Sequence, residues 1–444
     1  MRNPSIRRRV RPTSGLLTAL SLFGLGACTD ITSLAQENPG TLSVETLYVP
    51  ANAQLLVNGA IGDFECAFTR YAVGSGLFTD ELSVAISQSA NYDYDARRLL
   101  TSATYGTNHC GSPSPSTSQQ PGIYTPLSVS RATADTALAK LEGWTDAEVA
   151  NRTKLIGQAA AYAGYSLVLL GEGMCSAALN LGPELQPPAL FNEAVARFDK
   201  AIAAATTAND AATLNLARLG RARAKQDLGG AANLAAAAAD AALIPATFVA
   251  NTSPDATNAR RQNLVFVNIS QSQFSTVDTS FRNVLVPGGT TQDPRVNVID
   301  LKGKGTATGS QLFIPAKDNA VNLPMRIGSY AEAQLIVAEN AAATGDLPGA
   351  VTAINNARSR TAGLPAYVLP AGATAADVKA QIIEERRREL FLEGHRLGDL
   401  RRYSLTFLPA SGTPYQYGGV YGTQTCFPLP DVERINNPTI AGSQ

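Results

Sequence analysis

Apolar positions recur at helical spacing along much of this chain. Tyr162, Tyr165 and Leu169 fall on one face of 151–170, and 191–205 and 214–228 carry the same period. After Gly229-Gly230, Leu234, Ala238 and Ala241 hold i, i+4, i+7 spacing in 231–243. Ala331, Leu335, Ala338 and Ala342 stripe 326–343. Beyond Gly345-Asp346, Ala350, Ile354 and Ala357 stack in 347–360. Short turns between such segments predict helical hairpins of about 34 residues, with small side chains where helices cross closely. The expected fold class is therefore mostly α, a set of degenerate tetratricopeptide-like hairpins over about 151–245 and 326–403. Upstream, 42–72 reads as helix with a break at Asn58-Gly59. Gly74–Gly76 reads as an interruption, 78–89 as a possible continuation and 127–141 as a further helix.

Between the two helical blocks, about 246–325 is different. Val/Phe/Thr/Asn runs such as 264–269 alternate with Gly and Pro breaks, which marks a loop-rich insertion. Asp293-Pro294-Arg295 reads as a turn with Arg295 anchoring the loop. Segment 110–122, rich in Ser, Pro and Gln, reads as loop, and so does NYDYDA at 91–96. The stretch 382–403, IIEERRRELFLEGHRLGDLRRY, sets dense charge on an apolar stripe of Ile382, Ile383, Leu390, Phe391, Leu397 and Leu400. Gly394 divides it into two helical segments. Glu384 and Arg388 stand at i,i+4 in the favoured acid-first order.

Composition narrows the function. The 444 residues carry 36 basic and 36 acidic side chains. Residues 1–27 hold five Arg and no acid, so the remainder has 31 basic against 36 acidic residues, a net of −5. That balance argues against nucleic acid, which needs a basic footprint. The two histidines, His109 and His395, supply no pair at metal-ligand spacing and no HExxH. The arginines of 2–11, followed by the apolar run 16–27, form a signal peptide too short to span a bilayer. It ends in Leu25-Gly26-Ala27-Cys28, which resembles a bacterial lipobox and implies cleavage before Cys28 and lipidation of that residue. Residues 28–40 then read as a tether. In an exported chain, Cys66, Cys110, Cys175 and Cys426 allow two disulfides in three connectivities. We favour Cys66–Cys110, the nearest neighbours, with Cys175–Cys426 tying a repeat helix to the C-terminal segment. Four free thiols are the alternative.

Glu385, Arg386, Arg387, Glu389, Leu390, Glu393, Gly394, Arg396, Asp399, Leu400 and Arg401 match the pattern of the SusD/RagB family of outer-membrane nutrient-binding lipoproteins. So do Tyr330-Ala331-Glu332, Ala338-Glu339, Asn355 and Arg358, and so do Phe427–Pro430, Glu433 and Asn437-Pro438. Residues 156–172 resemble the family's first repeat helix. The resemblance implies one SusD-like domain over 41–444. It also implies that Glu385, Arg386, Glu389, Glu393, Arg396 and Asp399 form a structural charge network, not a catalytic one. It further implies a lipid-anchored protein of the outer-membrane cell surface. Such a protein captures an oligomeric nutrient, often a glycan, and delivers it to a TonB-dependent SusC-like transporter, with no catalytic residue, cofactor or metal.

Sugar capture needs flat apolar faces with amides and carboxylates beside them. Tyr92, Asp93 and Tyr94, flanked by Asn91 and Asp95, provide that chemistry in one short stretch, and Tyr105 lies near in sequence. Tyr415, Tyr417 and Tyr421, in a Gly-rich segment, are rivals. Two other readings predict different molecules. An exported helical-repeat adaptor that organises envelope proteins would have a polar groove without an aromatic cluster. A hydrolase would need two carboxylates converging at roughly 5–10 Å.

Overall fold

The computed structural model describes residues 44–87, 89–110, 121–306 and 309–441. The expected signal peptide, Cys28 and tether lie outside the described residues. One helical turn, Val44–Leu47, belongs to a separate N-terminal unit that ends at Leu47. Everything below concerns the unit that begins at Tyr48.

Helical hairpins follow one another through this unit. Helix α1 (Ala53–Phe78) packs on α3 (Tyr124–Gly143), α3 on α4 (Arg152–Gly173), α4 on α5 (Pro187–Thr207) and α5 on α6 (Ala211–Leu228). Helix α7 (Ala231–Ala241) bridges α6 to α8 (Tyr330–Ala343), which pairs with α9 (Leu347–Arg358). The apolar stripes meet as their spacing predicts. Ala237 and Ala241 pack with Leu219, Ala333 and Ile336, while Ala342, Ala350 and Ile354 pack with Val378 and Ile382. Alanine at these crossings lets the axes approach closely. The limit is reached around Phe198, whose ring lies against Gly164 on one helix and Gly220 on another; a Cβ at Gly164 would stand 2.7 Å from that ring.

Three local expectations are corrected. Helix α1 runs unbroken through Asn58-Gly59 and Gly74–Gly76. Its glycines serve close packing instead, since a Cβ on Gly76 would meet Leu392 at 3.0 Å and Leu82 at 3.3 Å. Leu82–Val84 is a strand (β1), not more helix, and pairs antiparallel with Ser275–Val277. NYDYDA is not loop but part of the short helix α2 (Ser89–Asp95). The insertion does contain short strand pairs, Val249–Asn251 with Arg326–Ser329 and Val298–Lys304 with Gln311–Pro315. The run at 264–269, however, is a helical turn, because the Asn263 side chain caps the N–H groups of Val265 and Phe266 at 3.0 and 3.2 Å.

The charge-dense stretch forms α10 (Ala375–Glu389) and α11 (Arg396–Arg402). Thr374 starts α10 with a capping box: its hydroxyl accepts from Asp377 N at 3.3 Å, and Asp377 Oδ2 accepts from Thr374 N at 2.8 Å. Thr374→Ala removes one half of that pair at an exposed site and is expected to cost about 1 kcal/mol of stability. Urea unfolding measures it, and an unchanged midpoint would contradict the assignment. Between the two helices Gly394 takes φ +72°, a left-handed turn that suits glycine.

The C-terminal half of α10 and the start of α11 carry buried charge into the body of the molecule. Glu385 accepts from Arg295 Nη1 at 2.6 Å, Arg358 Nη2 at 2.5 Å and Gln381 Nε2 at 2.5 Å. Glu389 and Glu393 receive Arg326 at 2.9 and 2.8 Å, and Lys317 adds a bond to Glu393 at 2.5 Å. Arg386 meets Asp399 at 2.9 Å, and Arg396 meets Asp80 at 2.6 Å. Arg295, expected to anchor its loop, is thus a buried partner of both Asp293 and Glu385. His395 is buried, and Arg223 donates to its Nε2 at 3.1 Å. Burial and the surrounding Arg223, Arg386 and Arg326 charges hold its pKa well below the usual histidine range, so the ring is neutral. Cys66 is joined to Cys110 and Cys175 to Cys426. The second bridge fastens the end of α4 to the segment holding Phe427, where Cys175 N also donates to Phe427 O at 2.8 Å.

Candidate functional site

Four tyrosines gather where α2 meets the loop after α11. Tyr92 comes from α2, while Tyr415, Tyr417 and Tyr421 come from the Gly-rich loop. Within that loop Tyr415 N donates to Gly419 O at 3.0 Å, closing a turn in which Gly418 and Gly419 take φ +104° and +73°. This turn presents the Tyr417 ring, which stacks on Tyr92 with centroids 4.5 Å apart and planes 10° from parallel. Tyr415 stands edge-on to both, at 5.9 Å from Tyr92 and 5.5 Å from Tyr417, and edge-on to Tyr421 at 5.1 Å. Tyr415 and Tyr421 are buried and support the stacked pair, whose rings are only partly covered. The hydroxyls fix the orientation: Tyr92 donates to Ser87 Oγ at 2.9 Å and Tyr417 to Val84 O at 3.3 Å. Ser310, on the Val298–Pro315 hairpin, approaches Tyr417 Oη at 3.4 Å.

Charge surrounds the rings. Arg98 lies over Tyr415 at 5.6 Å and Arg97 over Tyr421 at 5.1 Å. Asp95 is buried and accepts from Val84 N at 3.0 Å and Tyr415 Oη at 3.3 Å. Burial pushes its pKa up to about 7 despite those bonds. Asp93 is half-buried, and burial raises its pKa against the pull of Arg98. The patch therefore offers two stacked phenol rings, a neighbouring carboxylate and a guanidinium, which is chemistry for stacking on a ring and bonding its hydroxyls.

The structure divides the four candidate residues. Tyr92 is in the patch, whereas Tyr94 and Tyr105 are not; Asp93 follows Tyr92 in sequence and is half-buried, with Arg98 as its charge neighbour. Tyr94 is fully buried, donates to Pro121 O at 2.8 Å and packs edge-on to Phe427. Tyr105 is equally buried, with its hydroxyl on Pro428 O at 2.7 Å. Neither ring has a face open to a ligand. The reason is helical geometry: residues two apart on α2 point to different sides, so Tyr94 turns inward where Tyr92 turns out. Among the described residues no group of His, Cys, Asp and Glu is arranged to hold a metal ion, and no helix is long and apolar enough to cross a membrane.

Residues 320–437 match the model of the SusD family. The fold extends the likeness over most of the chain. A SusD superfamily protein from Bacteroides vulgatus is similar with a TM-score of 0.64 at 16% identity, covering 88% of this chain and 97% of its own. The stretch 320–437 resembles the SusD family, and the wider likeness is one of fold. Another similar structure is a SusD superfamily protein from Parabacteroides distasonis, with a TM-score of 0.63 at 14% identity over 90% of this chain and 98% of its own. A third is surface glycan-binding protein A from Bacteroides thetaiotaomicron, with a TM-score of 0.62 at 15% identity, covering 89% and 99% of the two chains. No protein of curated function matches this chain. The matched region of the family holds α8 to α11 and the Gly-rich loop, so it includes three of the four patch tyrosines and most of the buried charge network.

Proposed function

We propose that this protein is a lipid-anchored glycan-binding protein of the outer-membrane surface. It captures an oligosaccharide on the Tyr92–Tyr417 patch and passes it to a SusC-like TonB-dependent transporter. The observation that carries the reading is the stacked, partly exposed tyrosine pair held on a buried tyrosine base. Sugar rings bind such faces through their C–H surfaces, and Asp93 and Arg98 stand beside them for hydroxyl groups. Support also comes from the family and from a similar structure described as a surface glycan-binding protein. The reading needs no covalent chemistry, because uptake energy comes from the transporter.

The test is a screen of oligosaccharides by calorimetry with wild type and Tyr417→Ala. Loss of the presented ring is expected to weaken binding roughly ten- to thirtyfold, about 1.4–2 kcal/mol, with the fold intact. Equal affinity for the bound oligosaccharide in the two proteins would remove the patch from the site. Hydrolysis of the ligand during the titration would favour an enzyme instead. Co-purification with a transporter from solubilised outer membrane tests the delivery step.

A further inference from the structure

Asp95, the last residue of α2, is tied to the buried base of the tyrosine patch. It is itself buried, and its Oδ2 accepts from Val84 N at 3.0 Å and from Tyr415 Oη at 3.3 Å. Val84 is also where the presented ring is moored, because its carbonyl accepts from Tyr417 Oη at 3.3 Å. One carboxylate thus connects strand β1, the Tyr415 ring and, through a single residue, the Tyr417 ring. Tyr415 in turn stands edge-on to Tyr92, Tyr417 and Tyr421. Loss of its anchor therefore reaches every ring of the patch.

Asp95 also lacks a countercharge. The carboxylates of the charge network are paired, Glu385 with Arg295 and Arg358, Asp399 with Arg386. Among the described residues Asp95 forms no ion pair. Arg97, two positions on, spends its guanidinium on the carbonyls of Leu408 and Pro409. A buried charge without a partner costs stability, and an asparagine oxygen would accept from Val84 N as well. What the charge adds is a firmer hold on the phenol, since an ionised oxygen is the stronger acceptor. The ionisable groups that face Asp95 are Tyr415 and Tyr421 from the Gly-rich loop, Arg97 after α2 and Asp278 after the strand paired with β1. Asp93 of α2 has Arg98 as its charge neighbour instead. Burial, with Asp278 adding to it, outweighs Val84 N, Tyr415 and Arg97 and brings the Asp95 carboxyl up to about 7.

We propose that Asp95 is the positioning residue of the patch: its carboxylate holds Tyr415 against the stacked Tyr92–Tyr417 pair, and capture weakens when that carboxylate is neutralised, by substitution or by a proton. Capture of a sugar rests on the glycan reading above, whereas the tie between Asp95 and Tyr415 does not. Asp95 needs no contact with the ligand, because it acts through the rings.

Two measurements on the full chain test this, one of them without a ligand. Hydrogen exchange followed by mass spectrometry reads the Gly-rich loop, where Gly412 N, Tyr415 N and Tyr421 N are held by the carbonyls of Tyr421, Gly419 and Thr413. In Asp95→Asn these amides are expected to exchange about threefold faster than in wild type. Tyr415→Phe removes the same bond from its other end and keeps the ring. It is expected to do the same, with little further change in the double variant. Calorimetry with an oligosaccharide that wild type binds is expected to show affinity roughly threefold weaker in Asp95→Asn. Wild-type affinity is expected to fall by a similar factor from about pH 8 to about pH 6, as the carboxylate takes up its proton, and Asp95→Asn to lose that fall. A merely structural role would leave the two pH profiles parallel. Unchanged loop exchange in Asp95→Asn, additive effects of the two substitutions, or parallel pH profiles would each overturn the proposal. Failure of every oligosaccharide to bind wild type would overturn the glycan reading instead, and loop exchange would still judge Asp95.

Discussion

Glu385→Ala is expected to lower the unfolding free energy by about 3–5 kcal/mol, the usual result of breaking a buried ion pair from one side. The carboxylate is the shared acceptor of Arg295, Arg358 and Gln381, and its side chain is 1% exposed. Removing it leaves two guanidinium groups, each 3–4% exposed, without a counterion at that position. Arg295 retains Asp293, so the heavier loss falls on Arg358, which keeps its bond to Pro365 O at 2.8 Å. The neighbouring Glu384 gives the control. It pairs with Arg387 and Arg388 at 3.0 and 2.7 Å but is 35% exposed, so Glu384→Ala is expected to change stability by less than about 1 kcal/mol. Chemical denaturation of the two variants side by side measures the contrast. Similar losses for both would mean that the network does not depend on burial.

The second large effect is one of pH. Glu81 is buried, with Oε1 accepting from Leu392 N at 2.7 Å and Oε2 without a partner. Burial, reinforced by Asp80 and only partly opposed by Leu392 N, Arg396 and Lys317, pushes its pKa from an ordinary 4.5 up to about 8. Burial likewise raises Asp95 and Glu332 to about 7. The folded protein therefore holds protons that the unfolded chain has released. Between the unfolded and folded pKa values the native state binds more protons, so stability falls as pH rises from about 4.5 to about 8. For Glu81 alone the effect is on the order of 5 kcal/mol. In the opposite direction, ion pairing lowers the pKa of Glu385, Asp399 and Glu339 below the usual carboxylate range. Their contribution is present above the unfolded pKa and is lost as pH falls through the folded one. The stability curve is thus expected to peak near pH 5 and decline on both sides. Glu81→Gln keeps an acceptor for Leu392 N and cannot ionise, so it should flatten the alkaline decline. Thermal unfolding across that range in wild type and variant decides it; parallel slopes would clear Glu81 of the effect.

Much of this architecture is readable in the sequence because its signals are local. The stripe Ala350, Ile354, Ala357 marks a helix face, and the alternation of charge with Leu390, Phe391 and Leu397 marks helices that carry charge into the interior. What is not readable depends on distant partners. Asp80 and Glu81 carry no motif, and the groups they meet, Arg396 and Leu392, are 316 and 311 positions away. Tyr105 looks like a loop aromatic until Pro428, 323 positions on, is placed against its hydroxyl. The tyrosine patch is half legible: NYDYDA and the Gly-rich 415–421 segment each attract attention, but only the fold stacks Tyr92 on Tyr417 and sends Tyr94 inward. Six residues are too few to tell a period of 2 from one of 3.6.

The Ala375–Arg402 pair of helices also sets the order in which the molecule can be made. Asp80, Arg295, Arg326 and Glu339 all find their opposite charges on it. A chain that ends before Ala375 carries Asp80, Arg326 and Glu339 without these partners, and Arg295 with Asp293 alone. Completing these ion pairs needs the last quarter of the polypeptide, and contacts of such long separation form slowly. The hairpins made first thus gain their full set of charge partners only when the C-terminal helices pack against them.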